Sequence, residues 1–415
     1  MGKYQPYPNY KKASVTWLDE MPEHWILSKV KYIAPFQVGW TPPTKNDENF
    51  VGENLWVNIS DLKKKVITNT SKRISDRAAK EASMSITPKG SLMYSFKLSV
   101  GSVSFAGEDM YTNEAIASFL DSARLPLSYL YYALPKFVIE NASTNIYGAR
   151  ILNQELINNA QLLEPTFEEA ENIANFLDHE TAKIDALIEK QQQLIKLLKE
   201  KRQAVIRHAV AKGLNPQAPM KGSGVEWLGK VPEHWIVCRL KNALTIRNGR
   251  DYKQVEVESG GYPVYGSGGV FKRSSKYLFD GSSVLFGRKG TIDKPLVVSG
   301  KFWTVDTMFY SEINTFHEAK YIYYQASMFP FSLLSTSTAL PSMTQEDLLN
   351  LGFVSPPLTE QQEIVEYLKI KLDRLEVLIS KVEQSIILSK ERRIALISAA
   401  VTGKIDVRNW EQPND

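Results

Sequence analysis

The chain has 415 residues, 43% hydrophobic and 23% charged, a length that exceeds one hydrophobic core and implies two or three domains. Its net charge of +4 is too small to mark the whole surface as a polyanion binder, so any such footprint must be local. A single cysteine, Cys238, excludes an internal disulfide and a thiolate metal cluster. The opening MGKYQPYPNYKK lacks a signal-peptide core and no run approaches a membrane span, so a cytoplasmic location away from membranes is expected.

The first structured segment reads WLDEMPEHWILSKVK (17–31), and the same sentence returns as WLGKVPEHWIVCRLK (227–241), with His24 and His234 standing 210 residues apart. Self-similarity at so long an interval sets the architecture before any single residue is interpreted. After the first copy come the strand-like runs LWVNISDL (55–62) and SLMYSF (91–96), broken by turn residues. A short aromatic helix, YLYYAL (129–134), and a brief helix, ILNQELINN (151–159), lead into a long helical pattern. The second copy repeats the order with SVLFG (283–287), PLVVSGKFW (295–303), YIYYQA (321–326) and MTQEDLLNL (343–351). Thr344 is placed to cap that last helix together with Asp347.

The long patterns carry the clearest periodicity. In the second, Val365, Leu368, Leu372, Leu375, Ile379, Val382 and Ile386 recur in steps of three and four. The matching positions of the first are Ala174, Leu177, Thr181, Ile184, Ile188, Gln191 and Ile195. Such a period draws one seam down a straight helix of roughly 44 residues, about 65 Å long. The opposite faces carry Lys, Glu, Gln and Arg, which argues against an ordinary helical core. A helix of that length needs a partner, and the nearest partner is the other copy. The expectation is an α+β chain: two globular α/β domains joined by two long helices in an antiparallel coiled coil. The internal repeat makes it pseudo-twofold, with a globular domain at each end of the rods. The seam is assigned to Leu177, Ile184, Ile188, Ile195, Leu368, Leu375, Ile379 and Val382.

Catalytic motifs are sparse. A base-gripping NPPY-type motif is missing, since TPPT (41–44) and SPPL (355–358) lack the aromatic. VYGSGGVF (264–271) reads as a glycine turn, and no GxxxxGK[ST] phosphate loop occurs. Asp306, Glu318 and Lys320 form a D…ExK spacing able to hold a divalent metal, which keeps a free-standing metal nuclease as an alternative. The first repeat lacks that trio. His24 and His234 belong to a packing corner in which proline fixes the chain and Trp25 and Trp235 supply apolar area. His179, His208 and His317 show no ligand spacing. The chain reads as a non-enzyme with no catalytic residue, metal site or cofactor of its own.

Recognition is the remaining reading. Cations cluster among aromatic and small polar residues in KKK (63–65), SKR (71–73), RNGRDYK (247–253), FKRSSKY (271–277) and GRKGT (287–291). Lys neutralises phosphates, while Arg, Asn, Ser and Thr read base edges. In the second domain the DNA-contacting candidates are Tyr265, Ser267, Lys272, Arg273, Arg288, Lys289, Ser335, Thr336, Ser337 and Thr338. In the first they are Asn58, Lys72, Arg73, Lys97, Asn145 and Arg150.

The order of segments resembles the specificity (S) subunit of type I restriction–modification systems. The resemblance is carried by SGVEWLGKVPEHWIVCRLK (223–241) and its earlier partner, by LTEQQEIVEYL (358–368), and by the helix endings AVAKGL (209–214) and AVTGKI (400–405). The first long helix departs from it, opening with TFEEAENIANFL in place of a Glu-Gln-Gln run. The resemblance implies target-recognition domains at 1–165 and 214–357, long helices at 166–213 and 358–406, and a tail at 407–415. Each recognition domain would read half of a bipartite double-stranded DNA target. The helices would set the gap and dock two methyltransferase (M) subunits, which carry S-adenosylmethionine and flip an adenine. A restriction (R) subunit using ATP and Mg would join some complexes. A coiled-coil adaptor whose globular domains bind proteins is the other alternative.

Overall fold

The computed structural model describes residues 4–97, 99–144, 148, 150–334 and 341–412. The chain forms two compact units, one made of Met1–Lys190 with Ser385–Asp415, the other of Gln191–Gln384. Each unit has its own core and contains one end of both long helices.

Both units are built on the same two-sheet frame. In the first, the larger sheet runs Phe36–Val38, Ile116–Phe119, Leu92–Ser95, Val103–Ala106 and Val66–Ile67, antiparallel except for its last pair. The smaller sheet sets Asn54–Val57 between Tyr111–Thr112, which is parallel to it, and Lys72–Ile74, which is antiparallel. In the second unit the antiparallel sheet runs Leu244–Asn248, Met308–Ile313, Ser283–Gly287 and Leu296–Val298. Its companion sheet again holds one parallel pair, Tyr262–Gly266 with Lys301–Thr304. The glycine run at 266–269 is the tip of a hairpin between Tyr262–Gly266 and Gly269–Ser274. The central strands Leu92–Ser95 and Ser283–Gly287 are buried along their whole length. Both faces of such a strand are covered, so it carries a continuous apolar run in place of alternation. The aromatic helices Leu127–Phe137 and Ala319–Ala326 bury Tyr129 and Tyr321 completely. Their hydroxyls donate to the Leu163 and Val354 carbonyls, at 3.1 and 3.3 Å.

The repeated PEHW sentence is the joint between domain and helices. Ile26–Lys29 pairs with Gln161–Glu164, just ahead of the first long helix, Phe167–Lys212. Ile236–Arg239 pairs with Gly352–Ser355, just ahead of the second, Leu358–Val401. Trp25 and Trp235 are fully buried, as a packing corner requires. The histidines are not: their side chains are 39% and 52% exposed, and each reaches a helix carboxylate in the first turn. His24 Nε2 lies 2.9 Å from Glu169, and His234 Nε2 lies 2.8 Å from Glu360. Glu169 is nearly buried, and the Tyr7 hydroxyl donates to its other oxygen at 2.6 Å. Each joint also receives the end of the other long helix. Gly403 sits against Pro22 and Trp25, and Gly213 against Trp235 and Pro232. Both glycines have φ near +70°, the left-handed geometry that ends a helix and that a side chain would strain. One short sentence therefore holds the start of its own helix and the finish of the other.

The LTEQQEIVEYL opening has a specific use. Gln361 is fully buried, donates to the Phe316 and Pro356 carbonyls at 3.1 and 2.9 Å, and accepts from the Glu318 backbone at 2.9 Å. The equivalent residue of the first helix is Ala170, also fully buried. The departure at that helix start replaces a stitched amide with a small apolar contact.

The two long helices run antiparallel. In the first unit the beginning of one, from Ala170 to Ile184, shares a core with the end of the other, from Leu396 to Val401. In the second unit Ile206–Ala211 packs with Ile364–Leu375 in the reverse pairing. Leu177, Ile184, Leu368, Leu375 and Ile379 are buried, and Ile188, Ile195 and Val382 are half-buried. No helix among the described residues is long and apolar enough to cross a membrane.

Candidate nucleic-acid interface

One turn in each unit carries the chain from one sheet to the other, and the candidate surface assembles around it. In the second unit this crossing turn joins Lys301–Thr304 to Met308–Ile313; the Met308 N–H donates to the Val305 carbonyl at 3.0 Å. Asp306 and Thr307 occupy its two corner positions. Three neighbouring segments tie their backbones to the turn. The Val305 N–H donates to Tyr265 at 3.1 Å, Arg250 donates to Thr304 at 2.9 Å, and Arg288 and Lys289 both donate to Thr307, at 2.8 and 3.3 Å. The Trp303 indole closes the set by donating to the Arg250 carbonyl at 2.9 Å. Gly249 lets the Arg250 segment in, since a Cβ there would stand 1.9 Å from the Val305 carbonyl oxygen.

The first unit builds the same turn from different residues. The Ile116 N–H donates to Asn113 at 3.3 Å, with Glu114 and Ala115 at the corners. The Asn113 N–H donates to Val57, Trp40 donates to Thr112, and Phe96 donates to Ala115, at 3.0, 2.9 and 3.0 Å. The Trp56 indole donates to the Trp40 carbonyl, and Gly39 approaches Thr112 as Gly249 approaches Val305. Residue for residue, Lys97 stands where Lys289 does, Phe96 where Arg288 does, Trp40 where Arg250 does, and Glu114 where Asp306 does.

The turns therefore gather part of the sequence-based selection. Tyr265, Ser267, Arg288 and Lys289 lie at or beside the crossing turn of the second unit, and Asn58 and Lys97 at that of the first. Arg288 lies over the Phe309 ring, 6.0 Å from its centroid, and its Nη1 reaches the Asp306 carbonyl at 3.5 Å. Lys97, Arg250 and Lys289 are exposed and make no ion pair among the described residues. Asn58 caps a short helical turn, accepting from the Ser60 N–H at 2.7 Å and donating to Ser71 at 2.9 Å.

The other candidates lie away from the turns. Lys272 and Arg273 are on the second strand of the Tyr262–Ser274 hairpin, between its first strand and Glu256–Val257. Lys272 pairs with Glu256 at 2.6 Å, whose hydrogen bond and charge raise its pKa. Arg273 donates to the Gly261 carbonyl. Lys72 stands over the Phe50 ring, and Arg73 pairs with Glu53 at 2.6 Å. Arg150 belongs to a small two-stranded ribbon and donates to the Ile139 carbonyl. Asn145, Ser335, Thr336, Ser337 and Thr338 lie outside the described residues. Arg250 and Trp40 were not selected from sequence. Arg250 lay within the RNGRDYK cluster, whereas Trp40 carried no charge to signal it.

Asp306, Glu318 and Lys320 do not converge. Asp306 and Glu318 lie beyond opposite ends of Met308–Ile313, a strand of about 20 Å. Glu318 opens the Ala319–Ala326 helix. Among the described residues no group of three or more His, Cys, Asp or Glu side chains is placed to hold a metal ion.

The family model described as the type I restriction modification DNA specificity domain matches the chain twice, over residues 22–197 and 232–386. The chain belongs to that family. Each match begins at the proline of PEHW, so the repeat read from sequence and the two family copies coincide. This is a family of non-catalytic specificity subunits. The specificity subunit of the type I restriction enzyme MjaIX from Methanocaldococcus jannaschii is 24% identical, covering 98% of this chain and 99% of that protein. The MjaVIII specificity subunit of the same organism is 24% identical over 68% of this chain and 71% of its own length. Two solved structures share the fold at 16% identity and 93% coverage of this chain. One, with TM-score 0.68 and 99% of its own chain covered, concerns complex assembly and conformational transition of the type I restriction–modification system. The other, the HsdS subunit from Thermoanaerobacter tengcongensis, has TM-score 0.53 with 98% covered.

Proposed function

We propose that the chain is the DNA-reading subunit of a cytoplasmic type I complex that recognises a bipartite double-stranded target. The first unit reads one half-site through its crossing turn and the second unit reads the other, with the long helices fixing the gap. The observation that carries this reading is the construction of one turn twice, from different side chains, with a lysine beside it in both copies that makes no ion pair among the described residues. A shared frame with exchanged side chains suits two half-sites of different sequence. Lys97 and Lys289 supply charge to phosphates, and Arg288 and Arg250 face base edges.

The long helices also offer docking surface. In the first unit Leu187, Ile387, Leu388 and Ile394 are exposed outside the seam, and in the second Leu194, Leu197, Ile370, Val377 and Leu378 are exposed. Exposed apolar residues in such numbers on a helix mark a protein contact. Two methyltransferase subunits fit this role, each bringing S-adenosylmethionine, with a restriction subunit using ATP and Mg as a further partner. The chain itself then supplies specificity to an adenine methyltransferase or endonuclease assembly.

The test is footprinting of the chain purified with a methyltransferase subunit, on duplexes selected from a random library. The expected result is two protected half-sites at a fixed distance, with protection lost when one base pair is inserted between them. One uninterrupted footprint, insensitive to insertion, would refute the bipartite reading.

A further inference from the structure

The crossing turns place a carboxylate, Glu114 or Asp306, at the same corner of both reading edges. The surroundings make that position unusual. The second edge carries Arg250, Arg288 and Lys289 and the first carries Lys97, where the proposed function puts a polyanion, and a carboxylate there repels phosphate. Asp306 has Arg250, Arg288 and Lys289 on segments bonded to its turn, yet its carboxylate makes no ion pair or hydrogen bond among the described residues. The Arg288 guanidinium reaches the Asp306 backbone carbonyl. Glu114 is half-buried, and the Thr41 hydroxyl donates to its Oε2, which fixes the group and leaves Oε1 without a partner among the described residues.

The phosphate and sugar oxygens of duplex DNA, and the carbonyl oxygens and ring nitrogens on its groove edges, only accept hydrogen bonds. In the major groove the sole donors are the exocyclic amino groups, cytosine N4 and adenine N6. A carboxylate held at a DNA-reading edge can accept a direct hydrogen bond only from one of these or, in the minor groove, from guanine N2. We propose that Glu114 and Asp306 each accept a hydrogen bond from one exocyclic amino group, one in each half-site. This deepens the proposed function and rests on it. The residues around the carboxylate differ between the units, Trp40 against Arg250 and Phe96 against Arg288. The carboxylate and the lysine remain, so both half-sites share one amino-group contact and differ in their other readout.

The experiment selects binding sequences from a random duplex library with the full chain in complex with methyltransferase subunits. Wild type is compared with Glu114→Ala and Asp306→Ala, and each is titrated against a scrambled duplex. Asp306→Ala should lose on the order of tenfold discrimination at one base pair of one half-site. Glu114→Ala should do the same in the other half-site. Relaxation at an A·T pair identifies adenine N6 as the donor, and relaxation at a G·C pair identifies cytosine N4 or guanine N2. Affinity for the scrambled duplex should be unchanged or slightly higher, because a negative charge has left a polyanion-binding edge. Unchanged selectivity in both variants would overturn the inference. So would equal losses on cognate and scrambled duplexes, which mark a purely structural carboxylate. A wild-type selection with no two-part consensus would sink the proposed function instead, and is read before either variant.

Discussion

Ile184→Asp is the sharpest test of the antiparallel helix pair. Ile184 is 8% exposed in the core that the first unit builds from both long helices, a cluster that also holds Leu396, Ala399 and Ala400. Removing a buried isoleucine costs roughly 2–5 kcal/mol through lost burial and the cavity left behind. The carboxylate adds the cost of protonating it or admitting water. A total of about 3–5 kcal/mol is expected, a fall in Tm on the order of 10 °C for a unit of this size. Leu187→Asp is the control, one turn along the same helix with a side chain 48% exposed. It should leave stability within about 0.5 kcal/mol and weaken capture of the methyltransferase. Thermal and urea unfolding of the full chain, with a pull-down on the methyltransferase subunit, separate the two effects. If the two variants unfold alike, Ile184 does not face a shared seam and the helix pairing is wrong.

Gly403→Ala would drive a Cβ to 2.4 Å from Pro22 at a φ of +71°, so the first unit should lose about 1–3 kcal/mol, read from its urea midpoint. An unshifted midpoint would contradict the joint described for PEHW. Burial lowers the pKa of His317, which sits 2.6 Å from Asn314 and 2.9 Å from Ser355. Below about pH 6.5 the unfolded chain binds a proton that the fold refuses. The stability of the second unit should therefore be full above that pH and decline as pH falls toward the folded pKa. His317→Asn should flatten that slope in urea titrations at several pH values, whatever it does to the midpoint itself. Lys289→Ala should weaken binding to all duplexes and reduce the salt slope by about one unit, whereas Arg288→Ala should cost about 1–3 kcal/mol on the cognate target only. Replacing residues 242–355 with another family member's segment should alter one half-site in a methylation map and leave the other intact.

The large features were legible because periodicity and repetition are written along the chain. The step from Leu368 to Leu372 to Leu375 declares a buried stripe whatever it packs against, and PEHW names its joint by appearing twice. The histidine contacts were not legible. Glu169 lies 145 residues from His24, and no local pattern couples them. The group of residues around the crossing turn was half legible for a related reason. Charge marks Arg288 and Lys289 in GRKGT, but the chain's passage between two sheets decides that Arg250 joins them and that Lys272 and Arg273 do not. That passage is set by close backbone approaches at Gly39 and Gly249, where the informative property is a missing side chain.

The division of the long helices between the units also governs the order in which the protein can be made. The second unit is a continuous stretch, Gln191–Gln384, and can collapse as soon as that stretch is free. The core of the first begins at Tyr7 and is completed by Ala400, Val401 and Val407. A nascent chain emerges N-terminus first, so its earliest domain waits for its last residues and is the later of the two to close. Until then the apolar faces of Ala170, Ile173 and Leu177 have no second helix to meet. The part of the molecule written first is left longest in need of protection from aggregation, and its loop-closure cost is the largest in the chain.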